Sequence, residues 1–214
     1  MILYLLIEII IVIIAAYILL IFIFNRDPER FSTNTKNTIV SPADGKVIYV
    51  KKITTNIPPI VHKFNKDIHL TELNQIDEFI NGEYYHIGIY LSPFDIHVTR
   101  IPISGKVLLV SHITGNFFSK DLLKLKTIDE RYTCIIKNID LTVGVIHMAA
   151  YLTRRIVLNI YQNQNVKIGE RMGRIKLGSQ VDIIISCKKD IQVIIKPGDK
   201  LRAGESIIAK ITNV

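Results

Sequence analysis

Residues 174–183 read RIKLGSQVDI, and the reading of these ten residues decides the architecture of the chain. Ile175, Leu177, Val181 and Ile183 alternate with polar neighbours, the period-2 signature of a half-buried strand. Gly178-Ser179 interrupts it. Glycine inside a strand pattern marks a bulge or a close backbone approach. Two readings stand: a bend with an ordinary solvated serine, or a point at which the chain itself reacts. Outward from this stretch, short β-branched runs recur between Gly, Pro and Asn: Thr38–Val40, Lys46–Lys51, Tyr85–Leu91, Lys106–Ser111, Tyr132–Lys137, Val143–Ala149, Arg155–Leu158, Arg174–Ser186 and Ile191–Ile195. After residue 24 no long 3.6-residue period occurs, and only Thr71–Phe79 and Asp121–Lys126 suit a turn of helix. Many short strands with regular turns predict a mainly β sandwich or barrel.

The first 24 residues are different. Met1 to Phe24 are apolar except for Glu8 and a few small or aromatic residues, and as a helix they would reach about 36 Å against a hydrocarbon core of roughly 30 Å. Glu8 leaves two membrane readings, a full crossing with the carboxyl near the far interface or a segment that enters without crossing. A cleaved signal is the third, opposed by the lack of a basic start and of a small-x-small site. Residues 25–214 hold 27 basic and 18 acidic residues, beginning with Arg26 and Arg30. The positive-inside rule therefore puts the folded domain on the cytoplasmic side of the cell (inner) membrane. A basic excess suits an anionic partner such as a phospholipid surface; no helix-turn-helix, zinc or RNP-like pattern supports nucleic acid. Cys134 and Cys187 form no motif, and the six histidines show no HExxH or Cys-His spacing, so no disulfide framework and no metal is expected. The organisation read here is an anchor, 1–24, and one domain, 25–214.

The chain also repeats itself. SPADGKVIYV at Ser41 matches IPISGKVLLV at Ile101, and VKIGERMGRIKLGS at Val166 is similar to IKPGDKLRAGESII at Ile195. Each glycine is first a turn residue needing freedom at φ. Paired turns of this kind suit a barrel-sandwich domain of the lipoyl or biotinyl type. No lysine sits in a Met-Lys-Met setting, so a carrier role is excluded.

Four segments in order, NRDPER after the anchor, SPADGKV, LSPFDIHVTRIPISGKV and GERMGRIKLGSQVDI, resemble the phosphatidylserine decarboxylase proenzymes of the short bacterial and archaeal branch; DERYTCII and RRIV add lesser matches. The resemblance implies decarboxylation of phosphatidylserine to phosphatidylethanolamine and carbon dioxide. It also implies self-cleavage between Gly178 and Ser179, giving a large β chain, 1–178, and a small α chain, 179–214, held as a heterodimer. Ser179 would become a covalent pyruvoyl group, the cofactor, whose carbonyl condenses with the substrate amine. Three positions depart from family patterns: Arg100 and Gln180 where the long branch has histidine and threonine, and His147-Met148-Ala149-Ala150 in place of an apolar-Ala-Gly run.

The chemistry asks for a base, because a serine hydroxyl is a weak nucleophile at neutral pH. His97 suits it, having a pKa near working pH. Asp44 is either a turn residue of Pro-Ala-Asp-Gly or the acid that holds the His97 tautomer, and both roles are compatible. Arg100 falls on the opposite strand face from His97 and either binds lipid phosphate or anchors the sheet. The competing function is a membrane-anchored adaptor or anionic-lipid-binding protein without enzymatic activity.

Overall fold

The computed structural model describes residues 2–32, 37–54, 60–63, 66–114, 130–149, 156–175, 179–187 and 189–212. Helix α1 (Ile2–Phe24) carries exposed side chains from Tyr4 to Phe22 and is long and apolar enough to cross a membrane. The strands that follow are β1 (Thr38–Val40), β2 (Gly45–Ile53), β3 (Ile60–Lys63), β4 (Lys66–His69), β5 (Tyr84–Leu91), β6 (Val98–Arg100), β7 (Gly105–Ile113) and β8 (Arg131–Lys137). The remainder are β9 (Thr142–Met148), β10 (Ile156–Leu158), β11 (Asn165–Val166), β12 (Arg171–Ile175), β13 (Ser179–Ser186), β14 (Ile191–Val193), β15 (Lys200–Leu201) and β16 (Ile207–Ile211). A 3-10 turn at Thr71–Gln75 and a short helix α2 (Asp77–Ile80) precede β5. The fold is mainly β.

The large sheet, antiparallel throughout, runs β11-β7-β8-β9-β13-β5-β2-β15. It curls between two three-stranded sheets, β1-β16-β14 and β10-β12-β6. The main core joins these layers through Ile39, Ile87, Ile89, Val143, Val145, Met172, Val181, Ile183 and Ile208, all buried. On the other face of the large sheet, Ile135, Ile146 and Ile184 pack against Leu70, Leu73 and Phe79 of the 3-10 turn and α2. β13 is thus buried on both faces, which is why VDIII reads as an almost unbroken apolar run. Each such side chain contributes roughly 1.5–3 kcal/mol.

The repeats turn out to be a pseudo-two-fold. The large sheet is palindromic, β7, β8, β9 and β11 on one half matching β2, β5, β13 and β15 on the other. β2 shifts register between Val47 and Tyr49, and β7 between Val107 and Leu109, the same place in both repeats. The Val47 N–H donates to Asp199 and its carbonyl accepts from Gly198; Val107 does the same with Gln164 and Asn163. The Gly204 N–H donates to Ser41 at 2.8 Å and the Gly169 N–H to Ile101 at 2.9 Å. Asp44 and Ser104 correspond too, each accepting the N–H just before the turn glycine, from Ala203 at 2.8 Å and Ile168 at 2.9 Å.

Several expectations are corrected by this geometry. The partner of VKIGERMG at Val166 is LRAGESII at Leu201, six residues beyond the match made at Ile195. The sequence disguises it because the counterpart of Gly198, φ 100°, is Asn163, φ 70°, a non-glycine in the left-handed region. Arg174–Ser186 is not one strand: β12 ends at Ile175 and β13 starts at Ser179, in different sheets. The lipoyl-type name does not follow from this strand order. β3, β4, β6, β11, β15 and β16 had no run assigned to them, and the helical turn expected at Asp121–Lys126 lies outside the described residues.

Candidate active site

The segment LSPFDIH builds a turn that presents a histidine. The Asp95 carboxylate accepts the Ser92 N–H at 2.7 Å, and the Asp95 N–H returns to the Ser92 carbonyl at 3.0 Å. His97 follows, 2 % exposed, with Nδ1–H donating to the Asp95 carbonyl at 2.8 Å. That bond puts the neutral proton on Nδ1 and leaves Nε2 as the ring's acceptor. Nε2 is buried and has no hydrogen-bond partner among the described residues. Burial lowers the His97 pKa below its ordinary value, partly opposed by the Asp95 carbonyl and by the charges of Asp95 and Asp44. A histidine in this state is a neutral base at working pH.

The ring faces a cleft of about 290 Å³ between α1 and β12, lined by Tyr17, Leu20, Ile21, Phe24, Asn25, His97, Arg174 and Ile175. Phe24 meets His97 edge-on, with ring centroids 5.5 Å apart. The hexapeptide NRDPER staples the helix end to the domain residue by residue. Asn25 accepts from Arg174 at 2.8 Å, and Arg26 donates to the Phe94 carbonyl. Asp27 and Glu29 hold Arg171 at 2.7 and 2.6 Å, the Pro28 carbonyl takes Arg100 at 2.8 Å, and Arg30 grips both oxygens of Asp44.

Asp44 therefore does not hydrogen-bond His97. Its carboxylate is engaged by Arg30 and by the Ala203 N–H, the turn role read from Pro-Ala-Asp-Gly, and it reaches the imidazole through its charge alone. Arg100 is 3 % exposed and donates to the Gly169 carbonyl at 2.9 Å as well as to Pro28. Those bonds match the sheet-anchoring alternative.

Ser179 opens β13, paired with Leu91 of β5; its side chain, and Gly178 with it, lie outside the described residues. The Ile175 N–H donates to the His97 carbonyl at 3.0 Å. Four chain steps lead from Ile175 to Ser179, which bounds their Cα separation at about 14 Å. His97, the end of β12 and the start of β13 thus share one region. One and three residues after Ser179, Gln180 and Asp182 belong to a buried network that sequence reasoning missed. Asp182, 0 % exposed, accepts from Gln180 at 2.7 Å, from His86 at 2.6 Å and from the Tyr49 hydroxyl. Three donors on a buried carboxylate satisfy its charge and fix the start of β13. His147, the departure from the family pattern, is fully buried with Nε2 3.0 Å from the Thr99 hydroxyl, and burial pushes its pKa down to about 4. Apart from Arg30–Asp44 and Gln180–Asp182, the contacts of NRDPER and Asp182 join residues about 70 to 150 positions apart, so only the density of charge in NRDPER hinted at them.

Comparison with known proteins identifies the family. Residues 18–209 match the family model described as phosphatidylserine decarboxylase. The chain is 40 % identical over 186 residues, 87 % of each chain, to a putative archaetidylserine decarboxylase proenzyme of Methanocaldococcus jannaschii. It is 33 % identical over 191 residues, 89 % of this chain and 77 % of the relative, to the phosphatidylserine decarboxylase proenzyme of Prosthecochloris aestuarii. A putative archaetidylserine decarboxylase proenzyme of Methanothermobacter thermautotrophicus is 31 % identical over 192 residues, 87 % of this chain and 78 % of the relative. With nine-tenths of its length inside the family model and the decarboxylase relatives covering almost as much, the chain belongs to the phosphatidylserine decarboxylase family.

Proposed function

We propose that the chain cuts itself between Gly178 and Ser179 and then decarboxylates phosphatidylserine to phosphatidylethanolamine at the cytoplasmic face of the cell membrane. The observation that carries this reading is the buried Nε2 of His97, without a hydrogen-bond partner among the described residues, a neutral base in an apolar cleft beside the strand that leads to Ser179. During maturation Nε2 takes the Ser179 hydroxyl proton; during turnover it takes a proton from the substrate ammonium, so that the free amine can react. The Asp95 carbonyl keeps the required tautomer. Asp44 acts on His97 through its charge and, with Arg30, fixes the segment after the anchor.

The residues around position 179 fit a pyruvoyl group there. β13 is paired on both sides from its first residues, to β5 from Ser179 and to β9 from Gln180, so position 179 stands at the start of an anchored strand. Residues 179–212 supply β13 to β16, which are woven into two of the sheets, so a small chain 179–214 stays bound to 1–178 as a heterodimer. When present, the pyruvoyl carbonyl supplies the electron-withdrawing centre that pyridoxal phosphate provides elsewhere. Arg100, committed to two carbonyls, is proposed to hold the site together rather than to touch substrate.

The adaptor alternative falls away, because the family is one of decarboxylases. A second substrate reading is favoured by the name of the 40 % identical relative: archaetidylserine. The test is to supply purified full-length protein in detergent with each serine lipid. Formation of the corresponding ethanolamine lipid with stoichiometric carbon dioxide is expected; release of neither product from either lipid would overturn the reading.

A further inference from the structure

We propose that the cleft between the last turns of α1 and β12 is the binding site for the substrate phosphodiester and the adjoining stretch of one lipid chain, with Arg174 as the phosphate-binding residue. The inference rests on the decarboxylase reading above and adds to it the residues that recognise the lipid.

The cleft is built like an amphiphile. Its long wall is Tyr17, Leu20, Ile21 and Phe24, four side chains on one flank of a helix able to lie in a membrane. Beyond Phe24 its lining turns polar, with His97, the guanidinium of Arg174 and the Asn25 amide that Arg174 bonds. A chain entering along α1 from the membrane would leave its head group at that end.

The charges single out Arg174. Around the helix end, Arg30 is paired with Asp44, Arg171 with Asp27 and Glu29, and Arg100 with two carbonyls and, at 3.6 Å, Asp27. Arg26 is exposed and donates to the carbonyls of Ile23 and Phe94. Arg174 makes one described hydrogen bond, from Nη1 to the neutral amide oxygen of Asn25, and pairs with no carboxylate among the described residues. Its charge reaches His97, whose protonated form it disfavours. A cation with one described hydrogen bond, to a neutral amide, beside an apolar wall is matched by a lipid phosphodiester, which a guanidinium can hold through two hydrogen bonds. This also assigns α1 a second role: the anchor forms a wall of the site.

The test uses full-length protein in mixed micelles and begins by confirming from intact mass that each variant has matured. Failure of the wild type to mature counts against the decarboxylase reading; the binding arm below does not depend on it. Arg174→Gln should raise KM for a two-chain serine phospholipid by about tenfold to hundredfold, the range expected for a lost charged hydrogen bond, with kcat changed far less. Arg174→Lys, which keeps the charge, should recover most of that loss. Leu20→Trp, which narrows the apolar part of the cleft, should raise KM for the two-chain lipid by a larger factor than for chain-free glycerophosphoserine. In the binding arm, a fluorescent serine phospholipid added to Ser179→Ala precursors carrying the same second substitutions should lose affinity in the same order. If Arg174→Gln binds as well as Arg174→Lys or better, Arg174 is only a latch to Asn25 and the phosphate assignment is wrong. If Leu20→Trp has no effect on the two-chain lipid, or affects both substrates equally, the chain assignment is wrong.

Discussion

Nδ1 of His97 lies 2.8 Å from the main-chain carbonyl of Asp95, two residues earlier in the same turn. This bond presents Nε2 as an acceptor. Burial lowers the pKa from its ordinary 6.5, so the neutral form persists to lower pH than in a free histidine. The acid limb of kcat/KM should accordingly fall below pH 6.5. His97→Ala should leave the precursor largely uncut. A pH profile whose acid limb lies above 6.5, or normal maturation of the alanine variant, would remove His97 from the role of base.

His147 makes a thermodynamic prediction. Its folded pKa, about 4, is depressed from 6.5 by burial, so between these values the unfolded chain binds the extra proton. Stability contributed by neutral His147 is fully present above pH 6.5 and is lost as pH falls through about 4, amounting to about 3 kcal/mol at the acid end. The difference in urea midpoint between wild type and His147→Gln should change across this window. A difference independent of pH between 7 and 4 would contradict the assignment.

Gly45 opens β2 at φ 143°, and a Cβ there would sit 2.2 Å from the Tyr90 carbonyl oxygen. Its repeat partner Gly105 would place a Cβ 2.5 Å from the Lys137 carbonyl oxygen, without the positive φ. Gly45→Ala should cost about 2–4 kcal/mol and Gly105→Ala somewhat less. Equal thermal midpoints for both variants and the wild type would show that the repeated strand starts tolerate a side chain.

Arg100→Ala distinguishes the two roles considered for that residue. Losing a buried guanidinium that ties Pro28 and Gly169 together should lower stability by about 2–4 kcal/mol, read as a drop in melting temperature. A raised KM with unchanged melting temperature would instead indicate direct phosphate contact.

Much of this was legible in the sequence, and the limits have physical causes. All nine expected runs overlap strands, because alternation records which side chains face a core. The Thr71–Phe79 turn was equally visible. That β12, ending at Ile175, and β13, starting at Ser179, belong to different sheets was not legible, since glycine signals a change of direction but not which sheet receives the next segment. The second repeat was misregistered because Asn163 does the work of a glycine. His97 could be picked from its chemistry, whereas its tautomer depends on a main-chain carbonyl, which no residue type announces. Asp44 was placed on His97 by analogy with serine-histidine-acid sets; Arg30 competes for it through a contact formed only when the anchor end folds back.

The most direct measurement of the central claim is the intact mass of purified full-length protein beside that of Ser179→Ala. The wild type should resolve into residues 1–178 and a chain 179–214 that has lost ammonia and resists Edman sequencing. Ser179→Ala should remain a single chain, inactive toward serine phospholipid. An uncut wild-type chain of 214 residues with a free amino terminus that still decarboxylates the lipid would contradict the mechanism.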